Sequence, residues 1–149
     1  MAVLAAAAVV MAAGAAWAAV DAAKVEQDRE AHYKEIGKNF KAIRDQLKGG
    51  SPDLAVVRPA AQRIVELSAA IPSWFPAGTG PKAGIKTEAR EEIWASFPDF
   101  KAKAANLNAK AKALDAAAAK GDVAALGPAA NDVGQACKSC HELYRHEDH

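Results

Sequence analysis

The chain has 149 residues and a formal charge of +1, from 19 Lys and Arg against 18 Asp and Glu. So even a balance offers no basic patch for a nucleic acid and no acidic solvating tail. Its two cysteines sit together in one motif, which leaves none for a disulfide framework.

Met1 to Ala19 is mostly Ala and Val, carries no charge and ends in Ala16-Trp17-Ala18. This is the apolar stretch of a secretory signal with an A-x-A site, cut after Ala18 or Ala19. As a transmembrane anchor the run is marginal in length and rich in weakly apolar Ala. In a bacterium such a signal leads to the periplasm, so residues 20–149 are expected there, free of the membrane once the signal is removed. About 130 residues remain, enough for one core and too few for two.

From Val25 the positions Val25, Arg29, Tyr33, Ile36, Phe40, Ile43 and Leu47 recur at steps of three and four. They form a helix seam with one charged intruder, Arg29. Gly49-Gly50 ends this helix, and Ser51-Pro52 opens the next as N-cap and first-turn proline. The second seam is Leu54, Val57, Ala61, Ile64, Ser68 and Ile71, and it stops before Pro72. Residues Pro72 to Lys86 hold three prolines, three glycines and Trp74-Phe75, which reads as a long loop with aromatic anchors. A short helical segment over Glu88 to Trp94 follows, then a third long helix through Phe97, Phe100, Ala104, Leu107, Ala111 and Leu114, with Pro98 in its first turn.

Gly121-Asp122 supplies the end of the third helix and the cap of the fourth. The fourth seam is Leu126, Ala130, Val133, Cys137, Cys140 and Tyr144, and Pro128 inside it is expected to kink the helix or delay its start by a turn. No alternating β pattern of useful length occurs. Four amphipathic helices joined by two short turns and one longer loop predict an all-α, antiparallel up-down-up-down four-helix bundle.

Cys137-Lys138-Ser139-Cys140-His141 is a C-x-x-C-H string, the attachment signature of a c-type haem. On a helix these side chains stand at i, i+3 and i+4 and share one face. Cys137 and Cys140 are the expected thioether anchors, and His141 the proximal iron ligand. A structural zinc would need a second ligand pair, recruited from His32, His146 or His149. A thioredoxin-like pair would need a βαβ context, and a disulfide would close a very short loop and leave His141 unexplained. One covalent haem c per chain is therefore expected, filling part of a core that the many Ala residues leave thin. Arg29 is a candidate partner for a haem propionate, whose carboxylate suits a guanidinium fork. Phe97, Phe100 and Trp94 are aromatic candidates for the core, and in a bundle with an embedded haem the first two are also cofactor contacts.

With the C-terminal haem motif, four helices and an export signal, the chain resembles the cytochrome c′ family. The likeness covers essentially the whole mature chain and rests on Phe75-Pro76-Ala77-Gly78-Thr79-Gly80, on Glu92-Ile93-Trp94 and on Cys137 through Arg145, which reads CKSCHELYR. The resemblance implies five-coordinate, high-spin iron on His141, with the opposite face covered by a bulky side chain from the first helix. In Arg29-Glu30-Ala31-His32-Tyr33-Lys34-Glu35-Ile36-Gly37 that position falls to Tyr33. Low-spin relatives carry Met there, whereas the only methionines here are Met1 and Met11 in the signal. Tyr33 is open to three readings: a core aromatic, a steric gate, or a phenolate ligand, which would require a pKa far below ~10. The resemblance also places Arg145 close to the proximal imidazole and implies a homodimer through the first two helices.

The expected function is therefore electron transfer with an unidentified redox partner, or reversible binding of nitric oxide or carbon monoxide, and not enzymatic catalysis. Two alternatives stand beside it. One is a low-spin, six-coordinate electron carrier with His32 on iron. The other is a peroxidase-like enzyme, for which His32 is the only imidazole near that face to serve as acid and base. His32 lies about 100° round the helix from Tyr33, which favours neither.

Overall fold

Asp21 opens the first helix, α1 (Ala22–Lys48), by accepting a hydrogen bond from the Lys24 amide at 3.0 Å, as an N-cap carboxylate should. The computed structural model describes residues 20–146. The signal reading of residues 1–19, with its cleavage at Ala18 or Ala19, and His149 both fall outside the described residues.

After α1 come α2 (Leu54–Ala70), a single helical turn α3 (Glu92–Ala95), α4 (Phe97–Lys120) and α5 (Val123–Tyr144). The long helices pack α1 on α2, α2 on α4 and α4 on α5, each pair extensively, whereas α1 touches α5 only sparsely. The result is the all-α four-helix bundle expected from the seams, with one of its four sides loosely closed. No helix among the described residues is long and apolar enough to cross a membrane.

Two boundaries differ from expectation for identifiable reasons, while the start of α5 keeps its expected Asp122 cap. Asp53, not Ser51, caps α2: its Oδ1 accepts from the Ala55 amide at 2.8 Å, so Pro52 precedes the helix instead of opening it. Helix α5 begins at Val123, with Asp122 as its cap, and passes through Pro128 without delay. Pro59 stands at the same place in α2, the sixth residue of its helix. In both cases the carbonyl that loses its partner, Ala55 or Ala124, belongs to an exposed residue that water can satisfy. The second difference is larger. Glu88 and Ala89 are not helical: the Arg90 amide donates to the Tyr144 carbonyl at 3.0 Å and the His146 amide to the Glu88 carbonyl at 2.8 Å, which makes Ala89 the bridge residue. A one-bridge antiparallel contact thus ties the C-terminal end of α5 to the segment before α3.

The core follows the seams. Ile43, Val57, Ile64, Leu114, Leu126 and Val133 are fully buried, interleaved with Ala61, Ala111 and Ala118. Alanines let the helices approach closely, while the branched residues fill the space between them. The buried hydroxyl of Ser68 is answered: it donates to the Val65 carbonyl at 3.2 Å and accepts from Asn108 Nδ2 at 3.0 Å, which joins α4 to α2. Gly80 is required by close packing, because a Cβ there would stand 2.7 Å from the Trp94 ring.

Ile64→Ala is expected to lower unfolding stability by about 3 kcal/mol, through lost burial plus a cavity between α2 and its neighbours. Gln62→Ala, on the exposed face of the same helix, should change it by less than ~0.5 kcal/mol. Urea denaturation followed by circular dichroism checks both; equal midpoints for the two variants would contradict the placement of the seam.

Candidate haem site

Helix α5 carries the motif on the seam that also holds the buried Ala130, Val133, Ala136 and Tyr144. Cys137 and Cys140 are half-buried free thiols packed against the core. Burial raises the pKa of both; Cys140 reaches about 11, with the neighbouring Cys137 adding to the effect of burial. His141 is exposed at the surface. Its imidazole is held below the usual histidine pKa, first by partial loss of solvent and then by the Arg145 cation, with Glu88 opposing. That favours the neutral ring, which is the form that binds a metal.

Across the loose α1–α5 side stands Tyr33. Its ring meets Trp74 edge-on at 5.3 Å between centroids and Phe75 at 6.4 Å. Burial, reinforced by the two cysteines and opposed by the Arg29 cation, pushes the phenol well above its ordinary pKa. Farther along the same side, a Cβ on Gly134 of α5 would stand 3.5 Å from the Phe40 ring of α1, an ordinary contact distance.

The other candidates divide. Arg29 is buried at 3% exposure, and its guanidinium is turned to the loop: Nε donates to the Trp74 carbonyl at 3.1 Å and Nη2 to the Thr79 carbonyl and hydroxyl at 3.2 and 2.9 Å. Nη1 is shared with Glu26, so a propionate could reach only that one nitrogen. Phe100, 1% exposed, sits inside an aromatic cluster 4.7 Å from Phe75, 5.4 Å from Tyr144 and 6.0 Å from the half-buried Phe97. Arg145 ion-pairs with Glu88, its Nε 2.7 Å from Oε2, while its backbone amide donates to the His141 carbonyl at 3.0 Å. His32 stacks on Trp74 at 4.7 Å and lies with the loop, not among the cysteines. His146 is exposed.

Two long-range contacts had no signal in the sequence. Thr79 meets Arg29 across 50 residues. Tyr144, a seam position, also donates its hydroxyl to Asp99 Oδ2 at 2.5 Å and fixes the end of α5 to the start of α4. Burial and that carboxylate lift its pKa to about 12.

Two inward thiols three residues apart, a neutral-leaning imidazole at the next position and a sparsely packed flank walled by aromatic rings are a donor set and a setting that suit a covalently attached haem. Among the described residues no group of three His, Cys, Asp or Glu side chains gathers as a metal site made by protein alone.

The family model for cytochrome c′ matches residues 23–145. The cytochrome c′ of Pararhodospirillum photometricum is 40% identical over 124 residues, 83% of this chain and 96% of that one. Among solved structures, cytochrome c′ from Thermochromatium tepidum superposes with a TM-score of 0.78 at 30% identity, over 86% of this chain and 99% of the other. A cytochrome c prime variant from Alcaligenes xylosoxidans, solved as its nitric oxide complex, gives 0.78 at 29% identity, over 87% and 98%. Matched along nearly its whole described length in both sequence and fold, this chain belongs to the cytochrome c′ family, whose members carry covalently bound haem c.

Proposed function

We propose that the protein is a periplasmic cytochrome in which Cys137 and Cys140 hold haem c through thioethers, His141 binds the iron, and Tyr33 covers the opposite face as a gate. It serves to carry an electron or to bind a small gas reversibly, nitric oxide or carbon monoxide. Bound haem supplies the redox change and the open coordination site. The chain supplies placement, a dry flank and restricted entry.

The observation that carries this reading is the juxtaposition, across the α1–α5 side, of two inward thiols and a protonated Tyr33 held by ring packing. A neutral phenol is a poor ligand, and the two methionines lie in the segment read as signal. Nothing contributed by the described residues on that side competes strongly for iron. The nitric oxide complex of the Alcaligenes xylosoxidans relative supports the gas-binding half of the proposal. His32, engaged face to face with Trp74, gives the peroxidase and bis-His alternatives no support.

Covalent attachment has a direct test. The secreted protein run on a denaturing gel should keep its haem stain; Cys137→Ala and Cys140→Ala should each weaken it, and the double variant should lose it. A stain that survives in the double variant would overturn the assignment of the anchors.

The gate is tested at Tyr33. Tyr33→Phe keeps the ring and should leave the high-spin absorption and spin-resonance spectra of the oxidised protein unchanged, whereas a ligating phenolate would make them shift. Tyr33→Ala should speed carbon monoxide association after flash photolysis by about tenfold or more, because the competent open state is no longer a minor one. An unchanged rate in Tyr33→Ala would remove the gate.

A further inference from the structure

Arg29 is a residue that the proposed function leaves without a role, and its placement is physically demanding. A guanidinium withdrawn from water must have its charge and its N–H groups answered, or its burial destabilises the fold. Glu26, one turn back on α1, answers the charge at Nη1, and the remaining N–H groups are answered by one stretch of the loop between α2 and α3. Arg29 donates to the carbonyls of Trp74 and Thr79 and to the Thr79 hydroxyl, which itself donates to the Pro76 carbonyl at 2.8 Å. The guanidinium carbon lies 4.2 Å from the centroid of Phe75 and 5.6 Å from that of Trp94. Both are within cation–π range.

Tyr33 stands one turn farther along α1 and leans on the same two residues, Trp74 and Phe75. Behind them the packing is close: Trp74 is stacked on its other neighbour, His32, and Phe75 rests on Phe100 and Trp94 at 4.7 and 5.8 Å. The Tyr33 ring can therefore turn toward the loop only if Trp74 or Phe75 moves. Between Phe75 and Thr79 the backbone passes through Gly78 at φ +78°, a conformation few other residues hold, and the Thr79 hydroxyl braces the turn on the Pro76 carbonyl. His32 and Tyr33 pack on Trp74 and Phe75 from α1, and the Arg29 fork adds hydrogen bonds that tie both ends of the stretch to that helix.

We propose that Arg29 is the positioning residue of the gate: by clamping the Trp74–Thr79 stretch to α1 it sets how far Tyr33 can turn aside, and so how fast, and how large, a ligand reaches the iron. This rests on the reading of Tyr33 as the gate. A lysine at position 29 keeps the charge but has one nitrogen and no planar fork, so it cannot hold Trp74 and Thr79 together. The ring would then yield more often, and bulkier ligands would gain more than carbon monoxide.

The test uses the haem-loaded protein, with carbon monoxide and ethyl isocyanide as probes. Arg29→Lys should raise carbon monoxide association by about tenfold and isocyanide association by more, as coupled neighbours in one packed cluster allow. Amide exchange over 75–80 should quicken at the same time. Thr79→Val removes one acceptor of the fork, together with the hydroxyl that donates to the Pro76 carbonyl, and spares the buried charge. It should give an acceleration of about threefold, and keeps the proposal testable if Arg29→Lys folds poorly. Combined with Tyr33→Ala, Arg29→Lys should add nothing further, since the element it positions is gone. An equal acceleration in both backgrounds, or faster exchange over 75–80 with unchanged association, would overturn the role of Arg29 while leaving the gate intact. Unchanged association in Tyr33→Ala itself would sink both.

Discussion

Unequal packing of the four sides is the constraint from which the rest of this bundle follows. Three interhelical contacts are extensive and the fourth, α1 against α5, is sparse. Alanine accounts for both halves of this. At Ala61, Ala111 and Ala118 it lets backbones come together, but it contributes little apolar area of its own. A bundle so built is tight where alanine faces a branched side chain and thin elsewhere. The thin side is where both cysteines of the motif and Tyr33 come near each other, and a large apolar prosthetic group held there, as proposed, would add to the core instead of displacing it. In this family the cofactor is thus part of the packing as well as the chemistry.

The aromatic side chains extend this logic to the loop. Phe75, Trp94, Phe100 and Tyr144 link the α2–α3 loop, α3, α4 and α5 ring by ring, and each polar atom at the margin has a defined partner: Trp94 Nε1 donates to the Pro76 carbonyl at 3.1 Å, and Tyr144 to Asp99. A loop this long and rich in proline and glycine would be mobile if left to its backbone alone. Its order comes from side chains reaching it from three helices, with Arg29 the most deeply committed among them.

Much of this was legible in the sequence, and the boundary of legibility is physical. The helix seams could be read because burial repeats every three or four residues, and the C-x-x-C-H string because its spacing is local. What could not be read depends on partners far along the chain. Glu88 and Ala89 have fair helical character in isolation and are held out of a helix because the end of α5, more than fifty residues on, bonds to the Glu88 carbonyl and the Arg90 amide on either side of Ala89. Arg29 looked like an intruder in a seam because its acceptors lie 45 and 50 residues away. The shift of the α2 cap from Ser51 to Asp53 is a different case: two good capping side chains stand two residues apart, and only the second is followed by a helical backbone.

The loose side also joins the two ends of the chain. Contacts of α1 with α2 and of α4 with α5 close short loops, whereas α1 with α5 closes nearly the whole polypeptide, so it costs the most chain entropy for the fewest contacts. Of the four sides it is therefore the least expensive to open, and the one a folding chain completes with the weakest drive of its own. The haem motif lies on the last helix of the described residues. A side that is slow to shut keeps the half-buried thiols of Cys137 and Cys140 accessible for the longest time.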